Sequence, residues 1–182
     1  ALVKEKHLDL GFAFDGDADR CFAVDDKGNV VDGDKILYIL ANRFKSRGML
    51  NSNTIVSTVM SNSGFIASLD KIGVKCVQTK VGDRFVYECM QNNDYSLGGE
   101  SSGHIILKKY ATTGDGILTA IMVTEEVCDT KLPLSKLHEG VTLYPQYLKN
   151  VRVKNKVAVM KDEIVKEEVK EVKTIGFPAG NS

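Results

Sequence analysis

The stretch "TIVSTVMSNSGFIASLDKIGVKCVQTKV", residues 54–81, decides the fold class. Its opening "TIVSTVM" is a β-branched, apolar run that reads as a strand, "SGFIASLDKIG" reads as a helix closed by Gly73, and "VKCVQTKV" reads as a second strand. Upstream, "DKILYILANRFK" sets Ile36, Leu37, Ile39, Leu40 and Phe44 at helical spacing behind an Asp cap and stops near Gly48. Downstream come a helix in "RFVYECMQN", strands in "YSLGG" and "HIILKKY", and a helix from about Asp115 to Cys128. Strands alternating with helices predict an α/β fold, a mixed β-sheet covered by helices. Ligands on such sheets gather at the strand ends.

Beyond this core, Leu8 to Phe14 and "CFAVDDKGNVV" predict further strands, the latter folded around a Lys27-Gly28-Asn29 turn. Pro133 and Pro145 interrupt the helical pattern, after which "QYLKNVRVKN" predicts a strand and "KDEIVKEEVKEVK" a helix carrying Ile164, Val165, Val169 and Val172. One strand and one helix cannot close a core, so residues from about Leu143 onward are expected to open a further domain.

The 182 residues balance 24 basic against 24 acidic side chains, a charge state that offers no field for nucleic acid or an anionic membrane. No apolar run approaches a membrane span, and the start "ALVKEKHLDL" lacks a secretory layout, so a cytoplasmic location is expected. Cys21, Cys76, Cys89 and Cys128 are scattered without a C-x-x-C pair and read as reduced thiols. The chain opens without methionine and is expected to be an excised piece of something longer.

Chemistry concentrates first in "FAFDGDADRCFAVDD", residues 12–26. Asp15, Asp17 and Asp19 stand at i, i+2 and i+4 between two strands, in a loop that Gly16 lets tighten. Three converging carboxylates raise one another's pKa unless a cation neutralises them, and oxygen-only ligation selects Mg²⁺ or Ca²⁺. Three other readings stay open. An EF-hand fits Asp15, Asp17, Asp19 and Asp26 but has Arg20 where the motif requires Gly. An aspartyl-phosphate phosphatase would use Asp15 as nucleophile and Asp17 as acid/base, against which Asp19 counts. A solvated acidic turn needs no ligand at all.

A second loop, "SLGGESSGHIIL" at residues 96–107, supplies Glu100, Ser101, Ser102 and His104, a set suited to vicinal sugar hydroxyls and equally to a capped hairpin turn. A third, "TKVGDR", offers Lys80 and Arg84 beside Gly82, and in "ATTGDG" a helix cap is sufficient explanation. The order DGDADR, KVGDR, GGESSGH, TTGDG resembles the α-D-phosphohexomutases, and the likeness continues through "VDGDKILYI", "STVMSNSGF" and "TTGDGIL" over about residues 8 to 153. Within that superfamily the amino-sugar branch is most similar.

The resemblance implies a four-domain enzyme that moves phosphate between the 6- and 1-positions of glucosamine, using a phosphoserine and Mg²⁺ and activated by a hexose 1,6-bisphosphate. It assigns residues 1–33 to the end of domain 2, residues 34–140 to domain 3, and residues 141–182 to a linker and the start of domain 4. It implies Asp15, Asp17 and Asp19 as metal ligands, Arg20 beside the phosphoryl group, and Lys80 in acid/base or phosphate-binding work. Glu100 and Ser102 would be sugar ligands, with His104 a weaker contact. Ala18 stands where the family loop has Gly. The family's Ser-His-Asn-Pro loop and its Arg/Lys-x-Ser-Gly-Thr-Glu-Pro loop do not occur, which implies a central fragment without turnover of its own.

Overall fold

The structure, a computed structural model, describes residues 2–147 and 151–176. The chain divides into two units, residues 1–145 and 146–182. In the first, a short helix α1 (Leu2–Lys6) precedes three antiparallel strands, β1 (Gly11–Phe14), β2 (Cys21–Val24) and β3 (Val30–Val31). The turn between β2 and β3 is the expected one, closed by Gly28 N–H on the Asp25 carbonyl at 2.8 Å. The strand expected from Leu8 begins only at Gly11, because α1 and its exit occupy the preceding residues.

Helix α2 (Gly33–Ser46) follows, capped by Asp32, whose side chain accepts from Lys35 N–H. Then come β4 (Thr54–Thr58), α3 (Ser63–Lys71), β5 (Lys75–Thr79), α4 (Asp83–Asn93), β6 (Leu97–Gly99), β7 (Ile105–Leu107) and α5 (Gly116–Thr130). The second sheet runs β5-β4-β6-β7, with β4 parallel to β5 and β6, and β6 antiparallel to β7. This is the mixed sheet that the alternation predicts.

Side-chain alternation along the strands sorts the core into two layers. Ile55, Leu97, Ile105 and Leu107 join Leu37, Phe44, Phe65, Leu69 and Val123 of α2, α3 and α5, together with Ala23 and Val31 of the small sheet. Val56 and Ile106 face the other way, onto Val86 and Met90 of α4. Helices therefore cover both faces, and one core joins the small sheet to α2. A last turn, α6 (Leu134–Leu137), leads into residues 141–145. These are strapped to α3 by Asn62, which accepts from Tyr144 N–H at 2.9 Å and donates to its carbonyl at 2.8 Å.

The second unit holds α7 (Lys156–Lys161) and α8 (Glu163–Gly176). The strand expected over residues 146–155 does not form at 146–147 or 151–155, and residues 148–150 lie outside the described residues. Tyr147 and Val151 are exposed, and the second unit holds no strand among its described residues for them to pair with. The expected helix is present as α8, two residues later than its first charged residue suggested.

Candidate functional site

Strand β1 ends at Phe14 and the chain turns back into β2 through Asp15–Arg20. The turn is set by Ala18, which takes φ +58° and donates its N–H to the Asp15 carbonyl at 3.3 Å. A carboxylate oxygen from each of Asp15, Asp17 and Asp19 lies within 4.8 Å of the others. The Arg20 guanidinium compensates only loosely, with Nε 3.7 Å from Asp15 and 3.8 Å from Asp19. Burial pushes the Asp19 pKa up, and the charges of Asp17 and Asp15 add to it, against His104 and Arg20. Its Oδ1 is buried and accepts no hydrogen bond among the described residues. An oxygen-only set with an unsatisfied buried carboxylate oxygen fits a hard divalent cation such as Mg²⁺.

The loop geometry also counts against two of the open readings. Strands flank the acidic residues where an EF-hand needs helices, and Asp26 is turned away, accepting from Ser135 N–H at 2.9 Å and Oγ–H at 3.0 Å. Asp15 follows a strand of an antiparallel sheet, not a parallel strand running into a helix as the phosphatase reading would have it.

The residues 111–116 turn does more than cap α5. Asp115 does cap it, accepting from Leu118 N–H at 2.9 Å, but Gly116 also donates to the Ala18 carbonyl at 2.9 Å and Gly114 to His104 Nε2 at 3.1 Å. A Cβ on Gly114 would stand 2.5 Å from the imidazole, and one on Gly116 2.6 Å from the Arg20 carbonyl. Both glycines are thus required by close packing behind the acidic loop, which sequence reading assigned to capping alone.

His104 is only 3% exposed and sits behind Asp19, with Nε2 3.6 Å from Asp19 Oδ2. Because Nε2 accepts from Gly114, the ring proton of neutral His104 is on Nδ1, and the contact with Asp19 is not a hydrogen bond. Nδ1 is buried without a partner among the described residues.

The sugar-type loop joins β6 to β7 and docks directly on the acidic loop. Arg20 and His104 form a β-bridge, and Cys21 N–H donates to the Gly103 carbonyl at 3.1 Å. Glu100 and Ser102 face a cavity of about 300 Å³ shared with Arg20, Thr58, Met60 and Val81. Ser102 and Arg20 also line a neighbouring cavity of about 390 Å³ that reaches Asp15. Ser102 Oγ is buried and unpartnered among the described residues.

Thr58 ends β4, and Val81 and Glu100 follow the carboxyl ends of β5 and β6, where α/β sheets hold ligands. Thr58 and Met60 were legible only as part of a strand. Lys80 lies on this end but is exposed, lines neither cavity, and its ammonium makes no hydrogen bond or ion pair among the described residues. Arg84 points elsewhere and pairs with Glu88 on α4 at 2.7 Å.

An α/β/α domain with an acidic oxygen-donor loop packed against a hydroxyl-and-carboxylate loop at the strand ends is the class that fold and site define. The family described as phosphoglucomutase/phosphomannomutase, alpha/beta/alpha domain III matches residues 32–144, and the chain belongs to that family. It is 53% identical over 171 residues to the phosphoglucosamine mutase of Lachnospira eligens and 54% identical over 172 residues to that of Bacillus subtilis, covering 94% of this chain in each case. The chain spans 38% of the length of these relatives.

Among solved structures, a phosphoglucomutase/phosphomannomutase family protein from Burkholderia thailandensis aligns with TM-score 0.68 and 26% identity, over 78% of this chain and 30% of that one. An apo N-acetylglucosamine-phosphate mutase of the α-D-phosphohexomutase superfamily shares the fold with TM-score 0.71, at 20% identity over 95% of this chain and 42% of that one. No helix among the described residues is long and apolar enough to cross a membrane.

Proposed function

We propose that the protein containing this chain is a phosphoglucosamine mutase that interconverts glucosamine 6-phosphate and glucosamine 1-phosphate, in the cytoplasm. The observation that carries the reading is the adjacency of the two loops: Arg20 and Ser102 line both cavities, one reaching Asp15 and the other Glu100. A phosphate placed at the acidic loop and a sugar placed at Glu100 and Ser102 are thereby parts of one ligand. The names of the relatives supply the amino sugar.

In this reading Asp15, Asp17 and Asp19 hold Mg²⁺, which when bound neutralises charge on the phosphoryl oxygens. Arg20 donates to those oxygens from a planar, permanently charged group. A phosphoserine from elsewhere in the protein gives its phosphoryl group to the free sugar hydroxyl, and the resulting bisphosphate returns its other phosphoryl group to the serine. A hexose 1,6-bisphosphate activates by phosphorylating that serine. Between the half-reactions the sugar must turn round, and Glu100 and Ser102 suit this because they contact hydroxyls without requiring one ring orientation. In this reading Lys80, exposed near the same strand ends, meets a phosphate oxygen or takes part in moving the proton of the attacking sugar hydroxyl.

The test is turnover by the full-length protein of glucosamine, glucose and mannose 6-phosphates. Preference for the amino sugar is the expected result. Equal or reversed preference would make it a general hexose-phosphate mutase, and no turnover of any would sink the proposal.

A further inference from the structure

We propose that Gly82 is a positioning residue for the sugar-binding carboxylate. Its amide fixes one oxygen of Glu100, so that only the second oxygen is left to receive a sugar hydroxyl. The inference rests on the reading of Glu100 as a sugar ligand. Gly82 N–H donates to Glu100 Oε1 at 3.0 Å, a bond between two different loops, one after β5 and one between β6 and β7. Oε2 accepts no hydrogen bond among the described residues, and Glu100 lines the cavity that Ser102, Met60 and Val81 also line.

The backbone explains why a glycine stands there. Gly82 has φ +127° and ψ 131°, a conformation essentially confined to glycine. Space is not the reason: an added Cβ would meet nothing closer than the Phe85 ring at 3.4 Å. The unusual φ is what turns the N–H out of the α4 entry and toward Glu100. The same helix end favours a carboxylate through its dipole, so both features hold the side chain in one pose. With Oε1 occupied, Oε2 remains for a sugar hydroxyl in a cavity whose lining also includes Ser102, its hydroxyl unpartnered among the described residues.

Two variants of the full-length protein test this, alone and combined. Gly82→Ala strains the loop and loses the aim of the amide, and is expected to raise KM for the sugar phosphate about tenfold, the scale of one misplaced hydrogen bond, with kcat changing much less. Glu100→Ala removes the acceptor for Gly82 and the sugar ligand together and raises KM on its own. If Gly82 acts through Glu100, adding Gly82→Ala to Glu100→Ala costs no more than about a further twofold.

KM effects that multiply in full, or a loss confined to kcat, would overturn the inference. A second measurement stands even where Gly82→Ala folds poorly: Glu100→Ala should accelerate hydrogen exchange at the Gly82 amide about tenfold by removing its acceptor, and an unchanged rate would also overturn it. Wild-type turnover decides the functional reading, whereas the coupling between the two positions decides this one.

Discussion

At the first turn of α2, Asp34 is 2% exposed and accepts from Ser61 Oγ–H at 2.8 Å and Asn62 N–H at 2.7 Å. Burial raises its pKa to about 6; the Asn62 and Ser61 bonds oppose the rise, and Asp32 adds to it. The folded value thus lies above the unfolded carboxylate value of 3.8, so the folded state binds the proton more tightly. Its stabilising contribution is complete below about pH 4 and is lost as pH rises through about 6, a swing of about 3 kcal/mol for a shift of this size. Asn fits the same two partners, accepting from Asn62 and donating to Ser61. Asp34→Asn should therefore gain on the wild type by about 3 kcal/mol between pH 4 and 7 in urea unfolding series. A pH-independent gap would mean that Asp34 titrates normally.

Such a residue was not legible in sequence, where Asp34 passes for one more charge at a helix start. Asp15, Asp17 and Asp19 were legible because their convergence is local, needing only a short loop between strands. Glu100 was legible as a candidate, but the amide that aims it lies 18 positions away and had no sequence signal. The Gly114 and Gly116 contacts were hidden by a cap reading that was correct and incomplete.

Between elements, α2 packs against α5 and is fastened there chiefly by Arg43, with Arg47 at the end of α2 also reaching Asp129 at 2.5 Å. Arg43 is 4% exposed and donates to Glu125 at 2.6 Å, Glu126 at 2.7 Å and Asp129 at 2.8 Å. Two of the three acceptors are half exposed, so most of the charge has water as an alternative, but Glu126 is largely covered. Arg43→Ala would leave that carboxylate poorly paired and open a gap beside the helix, for an expected loss of about 3 kcal/mol by chemical denaturation. In a Glu126→Gln background the same substitution should cost clearly less. Equal cost in both backgrounds would place the effect in lost packing alone. Periodicity identified both helices and their apolar faces, since those obey a local 3.6-residue repeat. It could not identify Arg43 as their fastener, because a pairing across 83 residues leaves no periodic trace. The expected strand is missing from the described residues 146–147 and 151–155 for the converse reason: β-propensity is local, but a strand exists only where another supplies an edge.

For the whole molecule, the unequal division of the site has a consequence for metal affinity. The loop at Asp15, Asp17 and Asp19 would supply carboxylate oxygens to the ion, whose remaining charge the proposed enzyme would meet with a phosphoserine oxygen, and no Ser-His-Asn-Pro stretch occurs in these 182 residues. Mg²⁺ dehydrates reluctantly and rarely binds tightly to a few carboxylates alone. The chain by itself should therefore bind Mg²⁺ weakly by calorimetry and show no mutase turnover with Mg²⁺ and a hexose bisphosphate. The raised pKa of Asp19 gives the measurement a second arm. With repulsion unrelieved, Asp19→Asn should stabilise the metal-free chain, while the stabilisation that millimolar Mg²⁺ gives the wild type should shrink, because a ligand stabilises only through the affinity it has for the folded state. Sub-micromolar Mg²⁺ binding by the chain alone would mean that the acidic loop is a complete site, and the proposed sharing of the ion with a phosphoserine would have to be given up.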